Sequence, residues 1–483
     1  MSSPAATAKE SAAPAPTLAL GQFAASLAGD ALPHDVRMTL GELFLDYLRV
    51  ASIGAEMPWG NWADTYMAQL GGQGRAAVLF HAGRRDPVRA AFLNATYAGS
   101  IDADDTHVGS MLHPGAIVFS AALALADETG AGGSDFIAAV AAGYEAMIRI
   151  GLSIQPTHFR RGFQSTATCG GFGAAVAAAR LAFNGERAAE HRIASSIGLV
   201  ASFSGGLTQF YQSGSTVKRI HAARAAENGV AAALLARQGF TGPEDILEGE
   251  NGFARAYADA ADFSVVTGGL GRDYLLREVT VKGHACSARV QAAVEGLLDL
   301  CRKDRIDPAD ITDLFIGIPA VILGRLTIPR PIDVQAAQMS LPHSAALAVA
   351  LAQSAEEGFA LSVTDYEKSL NDPVVKRIEA RVRCEVDPQV EAATTAESVP
   401  ARIVITLQDG TSRSAFVSAP KGSPSRPFTP DDHVARFRRE LSRRLDGSAC
   451  DELIAIAADL AALDKAARIT DLLARALPRR EQK

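Results

Sequence analysis

The chain has 483 residues, with 47 Lys and Arg against 54 Asp and Glu for a net charge of −7, and only 6% aromatics. That length exceeds one ordinary core and predicts two domains, while the acidic balance and a pI near 5.9 exclude nucleic acid as the main partner. The 5 cysteines are scattered, without CxxC or Cys/His ligand spacing, which excludes a disulfide framework and a structural zinc site.

Residues 1–17 are rich in Ala, Ser and Pro and lack the basic start and apolar block of a signal peptide, so a disordered extension is expected there. No uninterrupted apolar run reaches the ~18 residues of a membrane span, and a cytoplasmic protein without membrane contact is expected. From 18 to 270 the periodic segments read as helices, among them VRMTLGELFLDYLRVAS, SDFIAAVAAGYEAMIRIG and AARAAENGVAAALLARQG. Over 271–425 the character changes. REVTVKG, DLFIGI and RIEARVRCEV read as strands, and ARIVITL-QDG-TSRSAFVSA reads as a hairpin turning at Asp409-Gly410. After PKGSPSRPFTPDD the pattern is helical again, so residues 426–483 are expected to rejoin the first domain. The predicted fold is mainly α: an all-helical domain carrying an inserted, smaller α+β lid, with a small-molecule cleft between them.

The densest chemistry lies in residues 101–116, IDADDTHVGSMLHPGA. Pro114 suits the first turn of a helix that runs to Gly130. His113 then sits at a positive helix terminus, where the dipole disfavours imidazolium and attracts anions. A neutral histidine beside Asp102 and Thr106 suits general acid–base work, while Asp104, Asp105 and His107 read as turn and scaffold residues.

Three further segments carry polar groups near apolar faces. In STVKRIHAAR (215–224), Lys218 and His221 share a helix face and Arg224 is rotated about as far again. The small residues Ala222, Ala225, Gly229 and Ala232 continue the Lys218 face and would bury the lysine beside an anion or carboxylate, whereas Arg219 reads as solvated. In PTHFRRGFQSTATCGGFG (156–173), Ser165 or Thr166 is expected to cap a helix. Its glycines serve close packing, because no strand precedes them as a dinucleotide loop requires. In VKGHACS (281–287), Lys282 and His284 are expected to face the cleft, and Cys286 reads as a buried structural thiol. His343 reads as a capping or packing residue.

Taken together, DADDTH with HPG, GYEAMIRIG, HFRRGFQSTAT, KRIHAARAAENG, VTVKGHAC and MSLPHSAALA resemble the MmgE/PrpD family, over Leu18 to about Leu445. That family includes 2-methylcitrate dehydratase, cis-aconitate decarboxylase and iminodisuccinate epimerase. The resemblance implies a helical domain with an α+β lid, a homodimer, no metal or organic cofactor, and a small di- or tricarboxylate substrate. By position Asp102, Thr106, His113, Lys218 and Lys282 match family active-site residues. Gln164 stands where many members have His, Ser287 stands where cis-aconitate decarboxylase has His, and His343 replaces an aromatic.

The expected activity is a cofactor-independent lyase of the hydratase/dehydratase type. His113, oriented through Asp102 or Thr106, moves the proton with Lys218 beside it. Lys218, Lys282 and Arg224 hold substrate carboxylates, and His158, Gln164, His221 and His284 complete the binding site. The alternatives are an epimerase or racemase of an iminodisuccinate-like dicarboxylate, a decarboxylase, or an impaired member that binds a carboxylate or serves as a partner subunit.

Overall fold

A computed structural model describes residues 15–476 apart from positions 82 and 357. Most of the extension expected over 1–17 lies outside the described residues. Its end is ordered instead: Pro16 opens a helix, and Thr17 Oγ1 donates to Glu248 Oε2 at 2.6 Å.

The helices of ten residues or more are α1 (Pro16–Ser26), α2 (His34–Gly54), α3 (Pro58–Leu70), α4 (Pro87–Gly99), α5 (Gly115–Thr129), α6 (Gly133–Ser153), α7 (Ser165–Ala182), α8 (Ala189–Ala201), α9 (Lys218–Arg237), α10 (Gln291–Lys303), α11 (Leu341–Leu351), α12 (Pro430–Leu441), α13 (Gly447–Ala458) and α14 (Ala467–Ala476). The fold is mainly α. Helix α6 is long and apolar enough to cross a bilayer, yet 94% of its most apolar window is buried inside the protein. Two of its three charges, Glu145 and Arg149, are buried and satisfied within the protein. Arg149 pairs with Glu145 at 2.9 Å and donates to the backbone oxygens of Val265, Gly268 and Asp273, pinning the loop that follows.

Helices α7 and α9 make the most extensive contact in the molecule, and small residues allow it. A methyl group at Gly229 would lie 2.3 Å from Ala174 Cβ and 2.5 Å from Ala175 N. One at Gly170 would meet Ile117 Cδ1 at 2.4 Å. The glycines of GGFG therefore serve close packing, as their setting predicts. Gly229→Ala should cost about 1–3 kcal/mol through overpacking, although alanine is intrinsically the better helix former. Urea unfolding checks this, and an unchanged or higher midpoint would mean the helices separate at no cost.

A second core starts at Cys286 and holds α10, α11 and a four-stranded sheet. The strands are β1 (Ile311–Ile318), β2 (Val382–Val386), β3 (Ala401–Leu407) and β4 (Ser412–Val417), in the order β2-β1-β3-β4. Strand β1 pairs parallel with β2 (Leu314 opposite Val382) and antiparallel with β3 (Leu314 opposite Ile405). The β3–β4 hairpin forms as predicted, with Gly410 at φ +80° making the turn. Two strand expectations are corrected. RIEARVRCEV is strand only from Val382, because Asp372 caps a helix Pro373–Glu379 by accepting from Val374 N and Val375 N. REVTVKG begins as a 3-10 turn, Leu275–Glu278, and then pairs at a single bridge between Thr280 and Thr106.

The first core gathers side chains from Leu20 to Ala285 and takes up Phe437 through Leu473. The chain therefore crosses between cores at Ala285–Cys286, immediately after Lys282 and His284.

Candidate active site

The single Thr106–Thr280 bridge sets the geometry of the site. Each residue donates its N–H to the other's carbonyl at 2.8 Å, and antiparallel pairing then brings Lys282 level with Asp104 and close to Asp102. Lys282 is fully buried. Its Nζ donates to the Asp102 backbone oxygen at 3.0 Å and to Asp102 Oδ1 at 2.8 Å, and lies 3.6 Å from Asp104 Oδ1. Lys218, at the start of α9, meets Asp102 Oδ2 at 2.7 Å. One carboxylate thus bridges two ammonium groups. Asp102 holds a left-handed φ of +58°, a conformation that aspartate tolerates better than most residues.

These contacts decide the charges. Burial opposes ionisation of Asp102, but Lys218 and Lys282 outweigh it and hold the carboxyl far below the usual range. Burial also disfavours the Lys282 ammonium, yet Asp102 and Asp104 raise its pKa above the ordinary value. For Lys218 burial wins over Asp102, with Lys282 adding repulsion, and its pKa is lowered.

His113 directly precedes α5, whose first residues follow Pro114 as the cap rather than containing it, and Gly130 at φ +72° ends the helix. The Nδ1 atom lies 3.1 Å from the Asp105 backbone oxygen, 3.0 Å from Thr106 Oγ1 and 3.4 Å from Asp104 Oδ2. Carbonyl and carboxylate oxygens only accept, so Nδ1 carries the ring hydrogen and Nε2 keeps its lone pair. Burial lowers the His113 pKa to about 4 against the pull of Asp104, with the two lysines adding to burial. At neutral pH the ring is an uncharged base. Asp105 lies behind it, accepting from Gly115 N and from the Tyr144 hydroxyl, each at 2.8 Å. Burial, with Asp104 adding, pushes its carboxyl up to about 7 against these donors.

A cavity of about 50 Å³ joins the two cores here. Asp102, Thr106, His113, Gln164 and Lys218 line it from the first core, and Ser287, Arg289 and Met339 from the second. Gln164, rather than Ser165 or Thr166, caps α7. Its Oε1 accepts from Ala167 N at 2.7 Å, which leaves the amide NH2 as a donor for the cavity.

Several expected members lie elsewhere. Arg224 is exposed and paired with Glu227, because six residues of helix turn it away from the Lys218 face. Lys282 spends its ammonium on Asp102 and Asp104 rather than lining the cavity. His158 is buried beneath it, Nε2 bonded to Thr168 Oγ1 at 2.8 Å. His221 packs edge-on against Phe210. His284 accepts from Leu361 N through Nδ1 at 3.1 Å and lines a different cavity, with Gln291 and Arg436. Burial lowers all three histidines to about 4. Arg219, expected in solvent, is 2% exposed; it donates to Ser100 O and, at 2.6 Å, to Gln338 Oε1, and it stacks on Trp59. His343 is a packing residue, held between Ser369 and Glu379 inside the second core. The Cys286 thiol is pushed up to about 12 by burial.

Among the polar residues of the wall, Arg289 and Tyr211 are the ones that sequence reasoning missed. The only signal was a cation two places beyond Ser287.

Comparison with known proteins identifies the family. The chain is 26% identical over 466 residues to the cis-aconitate decarboxylase-like protein oryM of Aspergillus oryzae, covering 92% of this chain and 93% of that one. It is 26% identical over 457 residues to the cis-aconitate decarboxylase of Aspergillus terreus (90% of each chain), and 26% identical over 403 residues to the human cis-aconitate decarboxylase (81% and 80%). Residues 18–266 match the MmgE/PrpD N-terminal domain and residues 284–462 the MmgE/PrpD C-terminal domain, so the chain belongs to the MmgE/PrpD family.

Proposed function

We propose that this protein is a lyase that acts on a small di- or tricarboxylate by proton transfer next to a carboxylate, and that the reaction is elimination or addition of water. The observation that carries this reading is the neutral His113 ring, its Nδ1 hydrogen held by acceptors and its Nε2 without a partner among the described residues, in one cavity with the Lys218 ammonium. In the eliminating direction Nε2 takes the proton from the carbon beside a carboxylate. The C–H electron pair becomes the double bond, and the hydroxyl on the next carbon leaves as water with a proton from Lys218. Burial, aided by Lys282, lowers the Lys218 pKa and makes it the better donor. The proton on His113 then returns to Lys218 through solvent.

Decarboxylation is the second reading, favoured because the relatives above are named as cis-aconitate decarboxylases or decarboxylase-like. There the C–C bond to a carboxylate breaks, carbon dioxide leaves, and the electron pair left behind is protonated by Lys218, since His113 starts without a proton on Nε2.

Incubation with di- and tricarboxylates in deuterated water tests the choice. Deuterium in recovered substrate together with alkene formation supports water elimination. Carbon dioxide release without exchange supports decarboxylation, exchange without alkene supports epimerisation, and conversion of no substrate overturns the lyase reading. For the His113 base, kcat/KM should stay level from pH 7 to 5 and fall through about pH 4; an acid limb near pH 6.5 would contradict the buried, neutral ring.

A further inference from the structure

We propose that Arg289 is a second carboxylate-binding residue of this cavity, so that the site takes ligands with two separated anionic groups, one at the Lys218 end and one at Arg289. At the Lys218 end a second N–H of that ammonium serves the leaving hydroxyl. The proposal rests on the reading of the cavity as a carboxylate site.

Charge matching within the wall comes first. Asp102 and Asp104 stand against Lys218 and Lys282, two acids for two ammonium groups. Arg289 lines the same cavity and has no such match. Among the described residues its guanidinium meets no carboxylate. What it meets is the ring of Phe159, 5.8 Å from the centroid. Arg325 stacks on that ring too, at 4.6 Å, and it also lacks a carboxylate. The two guanidinium groups stand close enough to repel, and Arg325 adds to burial in lowering the pKa of Arg289. Stacking on one phenyl ring is a weak return for holding two half-buried cations together. A bound anion would relieve the repulsion, and a planar fork suits a carboxylate in particular.

The shape of the space agrees. About 50 Å³ holds a few waters but little more. A neighbouring cavity of about 230 Å³ shares Phe159 and Tyr211 with it and is lined by Arg325. A ligand too long for the first space would run past Arg289 and Tyr211 toward Arg325. The Tyr211 hydroxyl, kept protonated by burial with its pKa pushed up to about 12, can donate to the same carboxylate. Lys218 comes from the first core and Arg289 from the second, so such a ligand would tie the two together.

The test is a thermodynamic cycle read by titration calorimetry, with succinate and succinamate as probes. Succinamate replaces one carboxylate by a neutral amide of nearly the same shape. Wild-type protein should bind succinate ~10-fold or more tightly than succinamate, the usual worth of one charge-assisted contact. In Arg289→Met that ratio should fall to within about twofold, and Arg289→Lys should lie between, having the charge without the fork. Should Arg289→Met fail to fold, Arg289→Gln is read in the same cycle. Retention of the full ratio without the arginine, or no preference for succinate in wild type, overturns the proposal. Because the readout is equilibrium binding, an intact cycle with no turnover of any carboxylate would sink the lyase reading and leave Arg289 in place.

Discussion

His113→Ala should lower kcat by ~10²–10⁴-fold, the usual contribution of a positioned acid–base group, while KM changes little. The ring is the one uncharged base in the cavity whose second nitrogen is left without a protein partner among the described residues. Removing it takes away the proton acceptor but none of the cations. Added imidazole should restore part of the lost rate, since the truncation leaves space beside Thr106 and the Asp105 carbonyl, and this rescue separates a chemical role from a structural one. Turnover within a few-fold of wild type would remove His113 from the mechanism and shift attention to Lys218. Thermal unfolding of the variant should remain cooperative, because Asp105 keeps its bonds to Gly115 N and Tyr144.

Asp102→Asn should be the most damaging single change to stability in the site. It leaves Lys282, fully buried, and Lys218, nearly so, with Asp104 as their remaining acid. Removing one partner of a buried ion pair costs about 3–5 kcal/mol. The pH dependence has a definite sign. Asp102 is held below its unfolded pKa by the two lysines, so its stabilisation is fully present above the unfolded value of ~3.9 and is lost as pH falls below it. The gap between wild type and variant in urea unfolding should therefore be similar at pH 7 and pH 5 and narrow only below ~4. A variant as stable as wild type at pH 7 would show that the lysines find other partners or shed their protons at no cost.

Much of this architecture was legible because its signals are local. The helix after His113-Pro114 with its stop at Gly130 and the hairpin at Asp409-Gly410 each depend on neighbours within a turn or two. The core of the site was legible for the same reason, since Asp102, Thr106 and His113 fall within twelve consecutive residues. What failed was distance. Whether Arg219 sees solvent is decided by Trp59, Ser100 and Gln338, far from it in sequence. Arg224 lies about one and two-thirds helical turns beyond Lys218, and a shared helix does not make a shared face. Gln164 took the capping role from Ser165 and Thr166 because its longer side chain folds back onto Ala167 N. Arg289 was invisible for a different reason. A cation is notable only when its acid is missing, and that absence appears only once every neighbour is placed.

The crossing at Ala285–Cys286 carries a mechanical consequence. The chain passes from one core to the other there and returns between β4 and α12. A rotation of the cores is therefore tethered at both crossings, one of them three residues beyond Lys282, and points beside a tether travel least. The contacts among Lys282, Asp102 and Lys218 would survive such a motion, whereas Arg289 swings with the far side. The proton-handling half of the site would then stand ready in the open protein, and only the grip on the distant end of the ligand would be assembled by closing.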